Sequence, residues 1–149
     1  MIICYTVSMN GKEASLLLGV TYRQLDYMLK QVENLVLVRY SESRGKARDI
    51  GPHDLTRLWL AFALKADGYN TAETQKAIDI LNANWNGEVP KEAGVLLALG
   101  DGDIFRWASD INFTIGYGKD TTPMTIYKSL PRMFYNVRKV ANDIYDNSY

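Results

Sequence analysis

The run TYRQLDY brings together Thr21, Tyr22, Arg23, Gln24 and Tyr27, side chains that donate and accept hydrogen bonds, with Leu25 between them. An Arg fork and a Gln carboxamide near the start of a helix have the geometry to read base edges in a major groove. A second group of cations follows. Arg39, Arg44, Lys46 and Arg48 lie within ten residues that hold a single acid, Glu42, before Asp49. Such a cluster can neutralise phosphates and release their counterions; its plain alternative is a solvated hairpin.

Several elements must form to present these groups. In KEASLLLG, Ala14, Leu17 and Leu18 recur at helical spacing, and Gly19 supplies the residue that a helix C-terminus prefers. Thr21 can cap a second helix, whose buried stripe is Leu25, Met28 and Leu29. Two helices around a Gly turn form a helix-turn-helix, an arrangement also common in proteins that never touch nucleic acid. Leu35, Val36, Leu37 and Val38 then read as a strand, residues 41–47 as a polar turn around Gly45, and Arg48, Asp49 and Ile50 as the returning strand. The result is a hairpin with a basic tip, the wing of a winged helix. Residues 2–7 read as an extended lead-in, and 8–11 as the turn or cap before the first helix.

Gly51 and Pro52 open a third helix, with Asp54 near its positive end and an apolar face of Leu55, Leu58, Trp59, Phe62 and Ala63. Gly68 ends it, and Thr71 caps a fourth whose apolar positions are Ala72, Ala77, Ile78 and Leu81. The expected first domain is therefore 1–81. Asn82, Asn84, Asn86, Gly87 and Pro90 make 82–93 a polar linker, and a second unit spans 94–149. In it, Val95, Leu96, Leu97, Ala98 and Leu99 pair through a turn at 100–103 with a strand at 104–108. A third segment covers 111–115, a turn 116–123 and a last extended piece 124–127. Pro131 opens a final helix with Met133, Phe134, Val137, Val140, Ala141, Ile144 and Tyr145 at three- and four-residue intervals. That stripe must cover either the small sheet of its own chain or a symmetry mate. The fold class is α+β, a winged helix-turn-helix followed by a small antiparallel sheet with a helix.

Residues 12–81 resemble the winged DNA-binding domain of MerR-type regulators. The residues that carry the resemblance are Gly19, Val20, Thr21, Arg23, Leu25 and Tyr27, then Gly45 and Arg48, then Asp54-Leu55, then Gly68 with Thr71. GVTYRQLDY is closest to the actinobacterial and phage branch of that family. The resemblance implies a double-stranded DNA partner, with Thr21, Tyr22, Arg23, Gln24 and Tyr27 on the recognition helix and Arg39, Arg44, Lys46 and Arg48 from the wing. Two departures stand out. Asp26 replaces an Arg found in many members, and residues 30–34 are extra where the family turns quickly. The long helix that pairs family protomers as a coiled coil should follow Leu81, but the Asn-rich stretch there interrupts it.

Composition narrows the classes. With 149 residues, 47% hydrophobic and 23% charged, the chain can bury a core without disulfides or metals. Lys plus Arg and Asp plus Glu balance at 17 each, but residues 1–66 carry nine cations against six acids and the remainder eight against eleven. The N-terminal part is thus the basic one. The single Cys4 excludes an internal disulfide, and the absence of a leader-like opening or long apolar run implies a cytoplasmic protein of a bacterium or its phage, with no membrane partner.

Lone His53 and Cys4 form no nucleophile–base pair or metal set, so neither catalysis, a cofactor nor a metal is expected. GYGKDT lacks the spacing of a phosphate loop, and Asp101 and Asp103 lack that of a calcium loop. The expected function is sequence-specific transcriptional regulation. Alternatives are a phage module of the terminase small-subunit or excisionase kind, or a small-molecule sensor with Phe105, Trp107, Tyr117 and Tyr127 as pocket walls. A homodimer through the C-terminal unit, or a protein partner there, completes the expected set.

Overall fold

The computed structural model describes residues 9–36, 50–98, 105–109 and 134–146. The expected lead-in strand at 2–7, the wing at 37–49 and the segments at 99–104 and 110–133 lie outside the described residues. The fold is α+β. In chain order come α1 (Gly11–Leu18), α2 (Tyr22–Gln31), α3 (Pro52–Ala66), α4 (Thr71–Asn84), a 3-10 turn (Pro90–Glu92), β1 (Val95–Ala98), β2 (Phe105–Ala108), β3 (Phe134–Tyr135) and α5 (Val137–Asp146).

α3 is the central element. PHDLTRLWLAFALKA is apolar nearly all round, and a helix of that kind belongs inside a fold. It buries Leu55, Leu58, Leu60, Ala61 and Leu64 and packs against α1, α4 and α5. Trp59 is partly buried against the same core and meets Tyr135 edge-on at 6.4 Å between ring centroids. One cluster of buried side chains runs from Ala14 on α1 to Ala141 on α5.

The start of α3 holds a polar network inside this core. Asp54 Oδ2 accepts the Gly51 N–H at 3.0 Å, capping the helix from its third position. Its other oxygen pairs with Arg57 Nη1 at 3.1 Å, and both side chains are fully buried. Arg57 Nε donates to Asn82 Oδ1 on α4 at 2.6 Å, and Asn82 Nδ2 donates to the Asn34 carbonyl beyond α2 at 3.1 Å. Three segments distant in sequence are thereby tied to one carboxylate.

The sheet has the order β2-β1-β3, all antiparallel, with Val95 opposite Ala108, Ala98 opposite Phe105 and Leu96 opposite Tyr135. The expected antiparallel pairing of β1 with β2 is present. On the inner face Leu96, Ala98, Phe105 and Tyr135 are buried, and the Tyr135 hydroxyl donates to Asp67 Oδ2 at 2.6 Å just past α3. Arg138 fastens the far side. Its backbone N–H donates to the Gly94 carbonyl at 2.9 Å, and its guanidinium donates to the Ala93 and Ser109 carbonyls at 2.6 Å each.

Four expectations are corrected. Leu17 is 68% exposed, because the inner stripe of α1 is Gly11, Ala14 and Ser15, with Leu18 at its end. Asn70, not Thr71, caps α4: its Oδ1 accepts the Glu73 N–H at 2.8 Å while Glu73 Oε1 accepts the Asn70 N–H at 2.9 Å. Ala72 is accordingly exposed and Thr74 buried. Helical continuity is not broken after Leu81, since α4 continues to Asn84, and Trp85 beyond it is only 4% exposed, its indole N–H donating to the Val89 carbonyl at 3.1 Å. The last helix begins at Val137 rather than Pro131. Phe134 and Tyr135 belong to β3, and Asn136 Oδ1 accepts the Lys139 N–H at 3.0 Å to start the helix.

Arg57→Ala should strand the Asp54 charge in the core and cost about 3–5 kcal/mol. Urea unfolding measures it, and a loss below about 1 kcal/mol would show that the pair does not hold the network together.

Candidate nucleic-acid interface

The sequence-derived site residues on α2 sit at its start and along its outer face. Thr21 is extended (φ −80°, ψ 159°), and its hydroxyl accepts the Gln24 N–H at 3.0 Å. Gln24 Oε1 accepts the Thr21 N–H in return at 2.8 Å, closing a reciprocal cap worth about 1 kcal/mol. Both residues therefore serve the helix first. The Gln24 carboxamide keeps two N–H donors on its nitrogen, and the whole residue is exposed.

α1 hands the chain to α2 through Gly19, whose φ of 74° lies in the left-handed region where a Cβ is penalised. The Gly19 and Val20 N–H groups return to the Leu16 and Ser15 carbonyls, a Schellman-type ending. Leu25 and Met28 are buried beneath α2, each contributing about 1.5–3 kcal/mol by leaving water. Given that inner stripe, 100° per residue puts Arg23, Tyr27 and Lys30 on the opposite side, with Asp26 beside them. Arg23 and Lys30 are exposed, and Tyr27 is 61% exposed.

Tyr22 lies at the edge of this face, 52% exposed, its ring against the first turn of α1. A methyl group on Gly11 would meet Tyr22 Cε1 at 2.6 Å, so glycine makes room for the ring. Asp26 Oδ2 pairs with Lys30 Nζ at 3.1 Å, a surface pair one turn apart worth a few tenths of a kcal/mol, about 0.3–0.5.

The far end of α2 is held from α4. Gln75 Oε1 accepts the Glu33 N–H at 2.7 Å, and its Nε2 donates to the Glu33 carbonyl at 3.1 Å, so one carboxamide grips a whole residue. Val32 and Leu35 are buried on either side, and Asn34 turns the chain with φ 64°. This anchoring was missed at the level of sequence, where residues 30–34 read as surplus hairpin. The alternation of buried Val32 and Leu35 with polar Glu33 and Asn34 was its only signal.

Met9 and Ile50 pair as an isolated antiparallel bridge, with N–H to carbonyl distances of 2.9 Å in both directions. The described chain thus leaves at Val36 and resumes at Ile50 beside Met9, two residues before α1. Arg39, Arg44, Lys46 and Arg48 fall in the interval and lie outside the described residues. The described face around α2 is close to neutral, with Lys12, Arg23 and Lys30 against Glu13, Asp26 and Glu33.

Phe105 is 6% exposed and packs on Tyr69 at 5.2 Å between centroids, Trp107 is half-buried on the same strand, and Tyr117 and Tyr127 lie outside the described residues. On α5, Val137, Ala141 and Tyr145 are buried, and the helix packs against α3 and β1 of its own chain. His53 stands 3.6 Å from Asp54 Oδ1 at the start of α3. Among the described residues no helix is long and apolar enough to cross a membrane. No family model matches the chain, and no curated protein matches it.

Gln75→Ala should release the turn after α2. Hydrogen exchange at the Glu33 amide is expected to accelerate about tenfold, consistent with a lost bond of about 0.5–1.5 kcal/mol, while the Leu58 amide on α3 keeps its protection. Unchanged exchange at Glu33 would mean that the carboxamide grip does not fix the turn.

Proposed function

We infer that the chain is a sequence-specific double-stranded DNA-binding protein that acts as a transcriptional regulator, with α1 and α2 as a helix-turn-helix and 37–49 as a wing. One observation carries this reading. α2 is fixed at both ends, by its reciprocal cap and by Gln75, yet its outer face is given over to Arg23, Tyr27 and Lys30, which hold up nothing in the core. A rigid helix with long donor side chains facing solvent is what major-groove reading requires. The Met9–Ile50 bridge supports a wing, because it returns the chain beside the start of α1 after a stretch containing four cations. Of the residues that carry the MerR-type resemblance of 12–81, Gly19 ends α1, Thr21 caps α2, Leu25 is buried and Asp54 caps α3, whereas Thr71 does not cap α4.

A second reading has its own observation. Leu16 and Leu17 at the end of α1 are 79% and 68% exposed, more apolar surface than DNA contact needs. If the protein shifts no duplex from a random pool but sediments as a dimer that a Leu16→Ser, Leu17→Ser variant dissolves, this face joins two copies and the DNA reading falls.

For the leading reading, Arg23→Ala should cost about 1–3 kcal/mol on the selected site and relax its specificity at one position. Lys46→Ala should instead weaken every duplex alike and lower the salt slope by about 1. Gel shifts over a salt series measure both. Wild-type affinity in both variants would remove α2 and the 37–49 segment from the interface.

A further inference from the structure

The outer face of α2 carries an unusual mixture for a DNA-facing helix. Arg23 has only donors, Asp26 has only acceptors, and the two are three residues apart, so their Cβ atoms are neighbours about 5–6 Å apart. The bases of B-DNA rise about 3.4 Å per pair along each strand, so both side chains fall within two successive pairs. An Arg fork matches guanine O6 and N7. A carboxylate in the groove finds a partner only where a base offers a donor alone, which is cytosine N4. We propose that α2 reads a G·C-containing two-base-pair step, with Arg23 on guanine and Asp26 on cytosine.

This rests on the DNA-binding reading above and sharpens it to a base preference. The obvious objection is that a carboxylate near a phosphate backbone is repelled. The Asp26–Lys30 pair at 3.1 Å answers it, because the ammonium offsets the charge within the same helix turn. The pair is also cheap to open, its side chains being 40% and 67% exposed, so Lys30 can turn to a phosphate while Asp26 turns to a base. Among the described residues Asp26 has no polar partner besides Lys30. That separates it from Thr21 and Gln24, whose groups serve the cap.

Selection of bound duplexes from a random pool tests the assignment, using the full chain as wild type and as Asp26→Asn, Asp26→Ala and Lys30→Ala, each checked by thermal melting. The wild-type motif should contain a G and a C within two pairs. Asp26→Asn should change the C position to A, since a carboxamide matches adenine N6 and N7, by about 5- to 150-fold in relative affinity. Asp26→Ala should flatten that position without creating a new preference. Lys30→Ala should keep the motif and weaken all sequences. A wild-type motif left unchanged by both Asp26 variants would overturn the assignment while sparing DNA binding. A wild-type protein that selects no motif would overturn both.

Discussion

A carboxylate and a guanidinium with no access to water sit at the start of α3, and much of the N-terminal architecture depends on their staying together. Removing two charges from water costs several kcal/mol per ion, and their attraction offsets this only with good geometry and further hydrogen bonds. Those bonds are present. Asp54 also takes the Gly51 N–H, and Arg57 also reaches Asn82, so each ion answers to a second element. Because Asn82 in turn holds the Asn34 carbonyl, the position of the turn after α2 depends on a pair buried about two helices away. Apolar side chains of the same volume could pack there, but they would not dictate which turn meets which helix. Direction and register are what the polar network adds.

That constraint is complemented from the outside. Gln75 grips Glu33 about two turns of α4 away from where Asn82 holds Asn34, and Val32 and Leu35 enter the core beside them. The chain that departs at Val36 and returns at Ile50 therefore has both ends fixed: one by these bonds, the other by the bridge to Met9. Leu25 and Met28 settle the position of α2, leaving its outer residues to chemistry rather than packing.

Much of this could be read from residues with strong local signals. Gly19, Thr21 and the Gly51, Pro52, Asp54 group each act within one turn of helix, where backbone geometry alone decides the outcome. The errors lie where packing against distant segments decides. Leu17 looked apolar enough to be inside, but the phase of α1 is set by Gly11, Ala14 and Ser15 against its neighbours. Phe134 kept the three- and four-residue period of the last helix, yet β1 had an unpaired edge, and two residues of strand satisfy it. Thr71 lost the cap to Asn70 because Asn competes better there and Glu73 completes its box. Arg57 left one clue unused. In a helix as apolar as α3 the middle turns offer little polar surface, and the acid three residues before Arg57 is its natural partner. For the proposed interface, the outer residues of α2 were legible from period alone, whereas the pairing of Asp26 with Lys30 emerged only with side-chain distances.

The near-neutral face around α2 bears on how the proposed DNA contact would be organised. Phosphate neutralisation supplies most of non-specific affinity and nearly all of its salt dependence. With Asp26 and Glu13 offsetting Lys30 and Lys12, the described helices contribute little to that term. On the DNA-binding reading it falls to the cations of 37–49. Affinity and specificity then reside in separate parts of the chain, joined through α3. A balanced overall charge is thus no obstacle to binding a polyanion: it limits non-specific attraction, and on the DNA-binding reading base contacts from α2 would account for a larger share of the discrimination between sites.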